Sequence, residues 1–500
     1  MCTQLKRFAS GLRLATSGVS LICAAVLSAC ANYAGIQSEQ HMAPAQAYVA
    51  TQSIPAEGGH WPAADWANQF GDPQLKSLLS EALKNSPTLD QARARINAAS
   101  AYTETAKSNT MPKIGADYSL TRQQYSGTAL VPPPYAGSWQ TENKLSATLS
   151  YDLDLWGKNR EALKASVSQE QASEADAEVV KLTLTTSIAR TYNQLARLYD
   201  LRAIALQQVA QRSQIERIAA GRIASGLDTA VELKTAQANV ASSRSALSSL
   251  DGQILTTRYQ LAALVGAGPD RGLSIAPPTM TGSDEVVLPD NLPADLVSRR
   301  PDLVAARWRV DALTHDVKEA KAEFYPDINL SAAIGLDAFG FGRLLTAASR
   351  TASAGPAVHL PIFDAGALRA QLKGRYADFD YAVATYNQTL VTALSEVATR
   401  LGEIRSTDAQ LVDAINAQQA AHSADQIALT QYKAGLTNQL TVLNADMNAL
   451  AADQAIVDLK LNRRDQQIEL GAALGGGYVD TQNQNGVAAN VSSAQAVVAR

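Results

Sequence analysis

The chain has 500 residues, of which 46% are hydrophobic and 18% charged, and its formal net charge is −4. That balance excludes the strongly basic surface of a nucleic-acid-binding protein, and three cysteines in 500 residues exclude a disulfide scaffold. No stretch of about twenty apolar residues follows residue 30, which excludes a bundle of membrane-spanning helices and leaves a β-barrel as the spanning architecture still open.

At the start, Lys6, Arg7 and Arg13 precede an apolar run from Leu14 to Leu27 that is too short for a spanning helix, so residues 1–29 read as a secretory signal peptide. Its end, Leu27-Ser28-Ala29-Cys30, resembles a bacterial lipobox, although small residues also suit an ordinary signal peptidase. Cys2 and Cys23 leave with the signal, so Cys30 is the single thiol of the mature chain and the candidate site of acylation. Losing the three signal cations without any acid takes the charge from −4 to −7. Residues 30–65 then form an extended, lipid-anchored leader.

The rest is one unit written twice. Pro87-Thr88-Leu89 matches Pro301-Asp302-Leu303, and Met111-Pro112-Lys113-Ile114 matches Tyr325-Pro326-Asp327-Ile328, both at an offset of 214; Gly157, Gly226 and Gly266 match Gly366, Gly435 and Gly475 at 209. The lost residues fall between the landmarks at 112 and 157, as befits a surface loop. These matches divide the chain into repeat 1 over 66–266, a Pro/Gly-rich connector over 267–293, repeat 2 over 294–478 and a disordered tail over 479–500.

Each repeat reads as helix, strand, strand, long helix, shorter helix. In the strands Ile114, Ala116, Tyr118 and Leu120 alternate with Gly115, Asp117, Ser119 and Thr121, and Leu145, Ala147, Leu149 and Tyr151 with Ser146, Thr148, Ser150 and Asp152. Repeat 2 alternates from Ile328 to Asp337, and again at Val358, Leu360 and Ile362 around His359 and Pro361. This pattern suits a tilted membrane strand, and equally a half-buried sheet in a soluble domain. Helix length separates the two. Gly157 to Gly226 is free of proline and, at roughly 69 residues, spans on the order of 100 Å as a helix, more than a globular domain houses. Ile188, Tyr192, Leu195, Tyr199, Leu206 and Val209 make a coiled-coil seam on it, with a second stripe at Leu198, Leu201 and Ala205. Four strands cannot close a membrane barrel, and about eight give a filled one; three chains supply twelve and leave a lumen. The expected fold is therefore a mixed α/β membrane protein, a trimeric 12-stranded transmembrane β-barrel that carries long paired α-helices.

Several segments in order resemble the outer-membrane efflux protein family, the TolC-like channel-tunnels, and within it the lipoprotein branch serving resistance-nodulation-division pumps. They are the lipobox Leu27 to Cys30, the run Leu292 to Leu303, Tyr151-Asp152-Leu153-Asp154-Leu155-Trp156-Gly157-Lys158, its partner Leu360 to Gly366, and Leu470 to Gly477. The resemblance covers about Trp66 to Tyr478. It implies that the β-barrel is continued by a long periplasmic α-helical barrel, that the connector over 267–293 is equatorial, and that the homotrimer docks to a periplasmic adaptor (membrane fusion) protein and an inner-membrane resistance-nodulation-division transporter. Ala31 after the acylated cysteine implies sorting to the outer membrane. The resemblance also implies a passive conduit for small toxic compounds, with no cofactor beyond the covalent lipid on Cys30.

Nothing in the sequence points to an enzyme: histidines 41, 60, 315, 359 and 422 lack metal-ligand spacing, and there is no phosphate loop or nucleophile elbow. His359 reads as lumen-facing and the others as solvated. The chemistry expected is gating at the helix turns. Alignment at the two glycines carries the family's inter-helix hydrogen bond onto Tyr432 and Glu232. The positions matching the family's inward aspartates are Thr441 and Asn444, with Leu440 as an apolar collar; Asp446 should point elsewhere. Two rival functions remain open at this stage, an outer-membrane channel of a one-step protein secretion system and a periplasmic coiled-coil scaffold.

Overall fold

The computed structural model describes residues 33–480, apart from 49, 51, 56–57, 129–130, 282–287 and 290–291. The signal at 1–29, Cys30, and all but the first two residues of the 479–500 tail lie outside the described residues.

Chain order is α1 (Pro73–Asn85), α2 (Pro87–Ser108), β1 (Lys113–Gln124), β2 (Trp139–Asp152), α3 (Lys158–Ala224) and α4 (Ala230–Leu264). After the short α5 (Pro269–Leu273) and α6 (Leu292–Arg299) come α7 (Pro301–Ala322), β3 (Asp327–Phe339), β4 (Arg350–His359), α8 (Ala367–Lys433) and α9 (Gln439–Ala473). α2 and α7 are both 22 residues long, α3 and α8 both 67, α4 and α9 both 35. Prolines open helices where their missing N–H costs nothing; Pro73 follows Asp72, whose carboxylate caps α1 by accepting from Gln74 N at 2.8 Å. No described helix is long and apolar enough to cross a membrane.

Contacts divide the chain into two compact units, one of 33–42, 96–173 and 306–386, the other of 43–95, 174–305 and 387–480.

The first unit holds a four-stranded sheet in the order β1-β2-β3-β4, every pair antiparallel. Register partners share a face. Ile114, Tyr118, Leu145, Leu149, Leu330, Ile334, Leu336 and Val358 fall on one face, and Asp117, Lys144, Ser146, Ser150, Asn329, Ser331, Asp337 and His359 on the other. Among the described residues β1 and β4 each have a partner on one side only, leaving two long unpaired edges. The fourth strand differs from the expected one. It runs over Arg350–His359, ahead of Leu360 and Ile362, because Pro361 has no N–H for a ladder and Asp364 already caps α8 by accepting from Leu368 N at 2.6 Å. Its alternation was hidden because Ala352 and Ala354 stand where larger apolar side chains would mark a face.

Below the sheet Val317, Ala320, Phe324 and Leu372 form a small core that Tyr33 and Ile36 of the leader complete, with Tyr33 edge-on to Phe324 at 5.6 Å. Trp156 stacks on Tyr325 at 4.7 Å and donates to the carbonyl of Pro326 at 2.8 Å. His315 is not the solvated residue expected. Its side chain is 15% exposed and bridges Glu161 and Asp311, because α7 packs that face toward the start of α3.

The second unit has the larger core. Trp66, Phe70, Leu75 and Leu78 meet Ile188, Tyr192, Leu195 and Leu198 of α3, Leu261 of α4 and Ile468 of α9. Fully buried Tyr192 donates to Asp72 at 2.8 Å, and Asp72 also accepts from Thr279 N at 2.7 Å. Burial pushes the Asp72 carboxyl up, and these hydrogen bonds outweigh it and hold the group below the usual range. Of the expected seam, Ile188, Tyr192 and Leu195 are buried and Leu206 is exposed. The Leu292 to Leu303 segment has a structural role. Arg300, 10% exposed, forks onto Asp302 at 2.7 and 3.1 Å, reaches Glu396 at 2.7 Å and donates to the last-turn carbonyl of Ala473 at 3.1 Å. A buried guanidinium so partnered avoids the cost of an unpaired charge.

Candidate gate at the paired helix turns

Two turns of the second unit, α3 to α4 and α8 to α9, share a backbone solution. Gly226 and Gly435 sit at φ 72° and 78°, and each turn closes with a six-to-one bond, Leu227 N to Arg222 O at 2.9 Å and Leu436 N to Gln431 O at 2.8 Å. Glycine takes the left-handed conformation that this helix ending requires. A side chain then caps each following helix. Thr229 accepts from Val231 N at 3.2 Å and Asn438 from Thr441 N at 3.0 Å.

Between the turns lies a three-residue cluster. The Tyr432 hydroxyl donates to Asp228 at 3.0 Å, and Arg222 forks onto the same carboxylate at 2.8 and 3.0 Å. Arg222 also donates to the Tyr432 carbonyl at 3.2 Å, with its guanidinium 4.8 Å from the ring centroid. The Tyr432 ring is buried among Ile215, Ala428 and Val442. Hydrogen bonds from Arg222 are the main cause that holds the Asp228 carboxyl below its usual range, aided by Tyr432 and opposed by burial. Burial first, then Asp228, pushes the Tyr432 phenol up to about 12. At neutral pH the cluster is therefore a fixed carboxylate held by one cation and one neutral donor.

This corrects the expected partner of Tyr432, which is Asp228 and not Glu232. Glu232 is the third residue of α4, and its carboxylate turns back to its own cap, accepting from Thr229 N at 2.9 Å and from the Thr229 hydroxyl. Asp228 precedes the cap and is free to face across the gap. Leu440 is 63% exposed and Asn444 is exposed too; their spacing puts both on one face of α9. Thr441 is exposed and its hydroxyl bonds back to Asn438 at 3.0 Å. Asp446 does point elsewhere. It is 3% exposed and pairs with Arg212 at 3.1 Å, which donates also to Ser243 at 3.1 Å. The residues missed were Arg222 and Asp228. A cation in the last turn of one helix and an acid just before the cap of the next was the available signal.

The profile of the outer membrane efflux protein family matches residues 78–267 and again 292–476. The chain belongs to the outer membrane efflux protein family. Among members of that family, it is 32% identical over 455 residues to the multidrug resistance outer membrane protein MdtP of Shigella flexneri, covering 88% of this chain and 91% of that one. It is 36% identical over 368 residues to the fusaric acid resistance protein FusA of Burkholderia cepacia, covering 72% and 68%. The crystal structure of the outer membrane protein VceC from Vibrio cholerae superposes with a TM-score of 0.78 at 35% identity, over 83% of this chain and all of that one. The protein is an outer-membrane efflux channel, with the helical and β parts of the TolC-like channels.

Proposed function

We propose that three copies close one 12-stranded barrel in the outer membrane and form the exit duct of a tripartite pump that exports small toxic organic compounds. The observation carrying this is the sheet, which has an apolar face, a polar face and two unpaired edges of 12 and 10 residues. Unpaired edges of that length seek partners. β1 and β4 of one sheet run in opposite directions, so β4 of one copy can add to β1 of the next in the same antiparallel sense, and a ring of three satisfies every edge. The polar face then lines a lumen and the apolar face meets lipid. The equal lengths of α2 and α7, α3 and α8, α4 and α9 support two structural repeats per chain, so that three chains supply six equivalent hairpins to the periplasmic helical barrel. A periplasmic adaptor and a resistance-nodulation-division transporter supply substrate and energy. The acyl chains on Cys30, at about 0.8 kcal/mol per buried methylene, anchor the leader in the membrane.

The gate is the Arg222, Asp228 and Tyr432 cluster, which ties the two turns of one chain, with Leu440, Thr441 and Asn444 at the constriction. Native mass spectrometry of detergent-extracted protein tests the reading. Three chains per particle, each with an acylated Cys30, and a conducting channel after reconstitution are expected. A monomer extracted without detergent that carries no current overturns it.

A further inference from the structure

The apolar face of the sheet carries almost no charge. Of all the side chains that register assigns to it, from Ile114 and Leu149 through Tyr118, Leu145 and Leu336 to Ala352 and Val358, two are charged, Arg122 and Arg350, and no acid is among them. Both arginines stand at the same end. β1 is entered from α2 at Lys113 and ends at Gln124, two residues past Arg122, while β4 begins at Arg350 and runs toward α8. The hairpin segments at that end, 125–138 and 340–349, hold no acidic residue, and Arg343 adds a third cation. Both guanidinium groups are exposed, and neither takes part in an ion pair among the described residues. Trp139, 59% exposed, lies on the same face at the same end.

An arginine facing lipid is costly at the midplane of a bilayer and much less so at its surface, where aromatic side chains also gather. Two cations placed only at one rim of an otherwise apolar face mark a lipid headgroup zone and not a packing accident. We propose that Arg122 and Arg350 form a binding site for the phosphate groups of the glycolipid in the outer leaflet, completed at the junction between two copies. The proposal rests on the trimeric barrel proposed above. Arg122 belongs to one edge strand and Arg350 to the other, so closing the ring sets Arg350 of one copy on the strand beside Arg122 of the next, both outward at the extracellular rim. A guanidinium offers a fork of donors that matches phosphate oxygens, and two such groups with no competing carboxylate suit a bis-phosphorylated headgroup. Three such seams per channel would ring it with tightly held lipid.

Full-length channel purified in detergent is titrated with bis-phosphorylated lipid A, with the same lipid after removal of its phosphates, and with inorganic phosphate, and native mass spectrometry records bound lipid and subunit number together. Lipid A on the trimer at up to three copies is expected, weakened about tenfold for each guanidinium lost in Arg122→Gln and Arg350→Gln, restored in part by Arg122→Lys and unaffected by Lys144→Gln on the polar face. The dephosphorylated lipid should bind as weakly as the double variant allows, and millimolar inorganic phosphate should not displace lipid A. Trimers whose lipid A occupancy is unchanged in the double variant, or equally reduced by Lys144→Gln, overturn the site and leave the barrel standing; particles that are monomers throughout overturn the barrel itself.

Discussion

The two helix turns have the same backbone and bring different side chains to their contact. Each ends a 67-residue helix on a glycine with a six-to-one bond and begins a 35-residue helix on a side-chain cap. Yet the first turn brings charged Arg222 and Asp228 to the contact between the turns, and the second brings neutral Tyr432. Backbone geometry alone makes a turn, and both turns have it. What ties one turn to the other is the asymmetry, since a carboxylate on one side needs donors and no second carboxylate on the other. Glu232 and Thr441 occupy matched positions, and both serve caps, the first by a capping box and the second by bonding to Asn438.

Asp228→Ala should break the comparison most severely, because it removes the shared acceptor from Arg222 and Tyr432 at once. A loss of about 1.5 kcal/mol per subunit shifts the closed-to-open ratio about tenfold. Single-channel recordings should show higher conductance or open probability, and cells should become sensitive to large antibiotics; unchanged recordings would remove the cluster from the gate. Tyr432→Phe keeps the buried ring and deletes one hydrogen bond, so the same recordings should show a smaller shift, about fivefold for roughly 1 kcal/mol. Asn444→Asp tests whether the exposed face of α9 lines the constriction. In the proposed trimer it adds three carboxylates and should move the reversal potential toward cation preference, and an unmoved potential places residue 444 away from the pore.

The pH response follows from the signs of the two shifts. Asp228 titrates below its usual range, so its contribution is complete above the ordinary carboxylate pKa of about 4 and is lost only as pH falls through the lower folded value. Tyr432 titrates near 12, so its donated hydrogen bond is complete below the ordinary phenol value of about 10 and is lost as pH rises toward 12. Closed-state stability attributable to this cluster should therefore be flat from pH 5 to 9 in bilayer recordings that compare the native channel with Asp228→Ala. A difference that varies across that window would require another titrating group in the lock. The smallest effect is expected for Glu232→Gln. Its carboxylate serves its own helix, so conductance should match the native channel, whereas an opening as large as that of Asp228→Ala would restore Glu232 as the partner of Tyr432.

Much of this architecture was legible because its landmarks recur along the sequence. Matched glycines and prolines located the long helices, and period-two alternation located three of the four strands. Strand β4 escaped because alanine, serine and glycine give too little contrast in polarity for a period to be seen, so pairing to β3 had to define it. His315 escaped because a lone histidine carries no sign of burial, and its partners Glu161 and Asp311 come from segments about 150 residues apart in sequence. At the candidate gate the alignment of glycines paired Tyr432 with Glu232, whereas the structure pairs it with Asp228.

That difference marks the boundary between the two kinds of information. Sequence by itself determined the ends of the long helices, the periodicity of three strands, the lack of a spanning helix among the described residues and the family, because each depends on the order and spacing of residue types along one chain. Tertiary structure alone decided that Asp228 faces Tyr432 while Glu232, four residues on, closes a capping box, that Arg300 is buried among Asp302, Glu396 and the Ala473 carbonyl, and that Arg122 and Arg350 share a face. Each of those is a matter of direction. A carboxylate in a helix turn can face its own backbone or a neighbouring helix with nearly the same local energy, and only the packing of distant segments separates the alternatives.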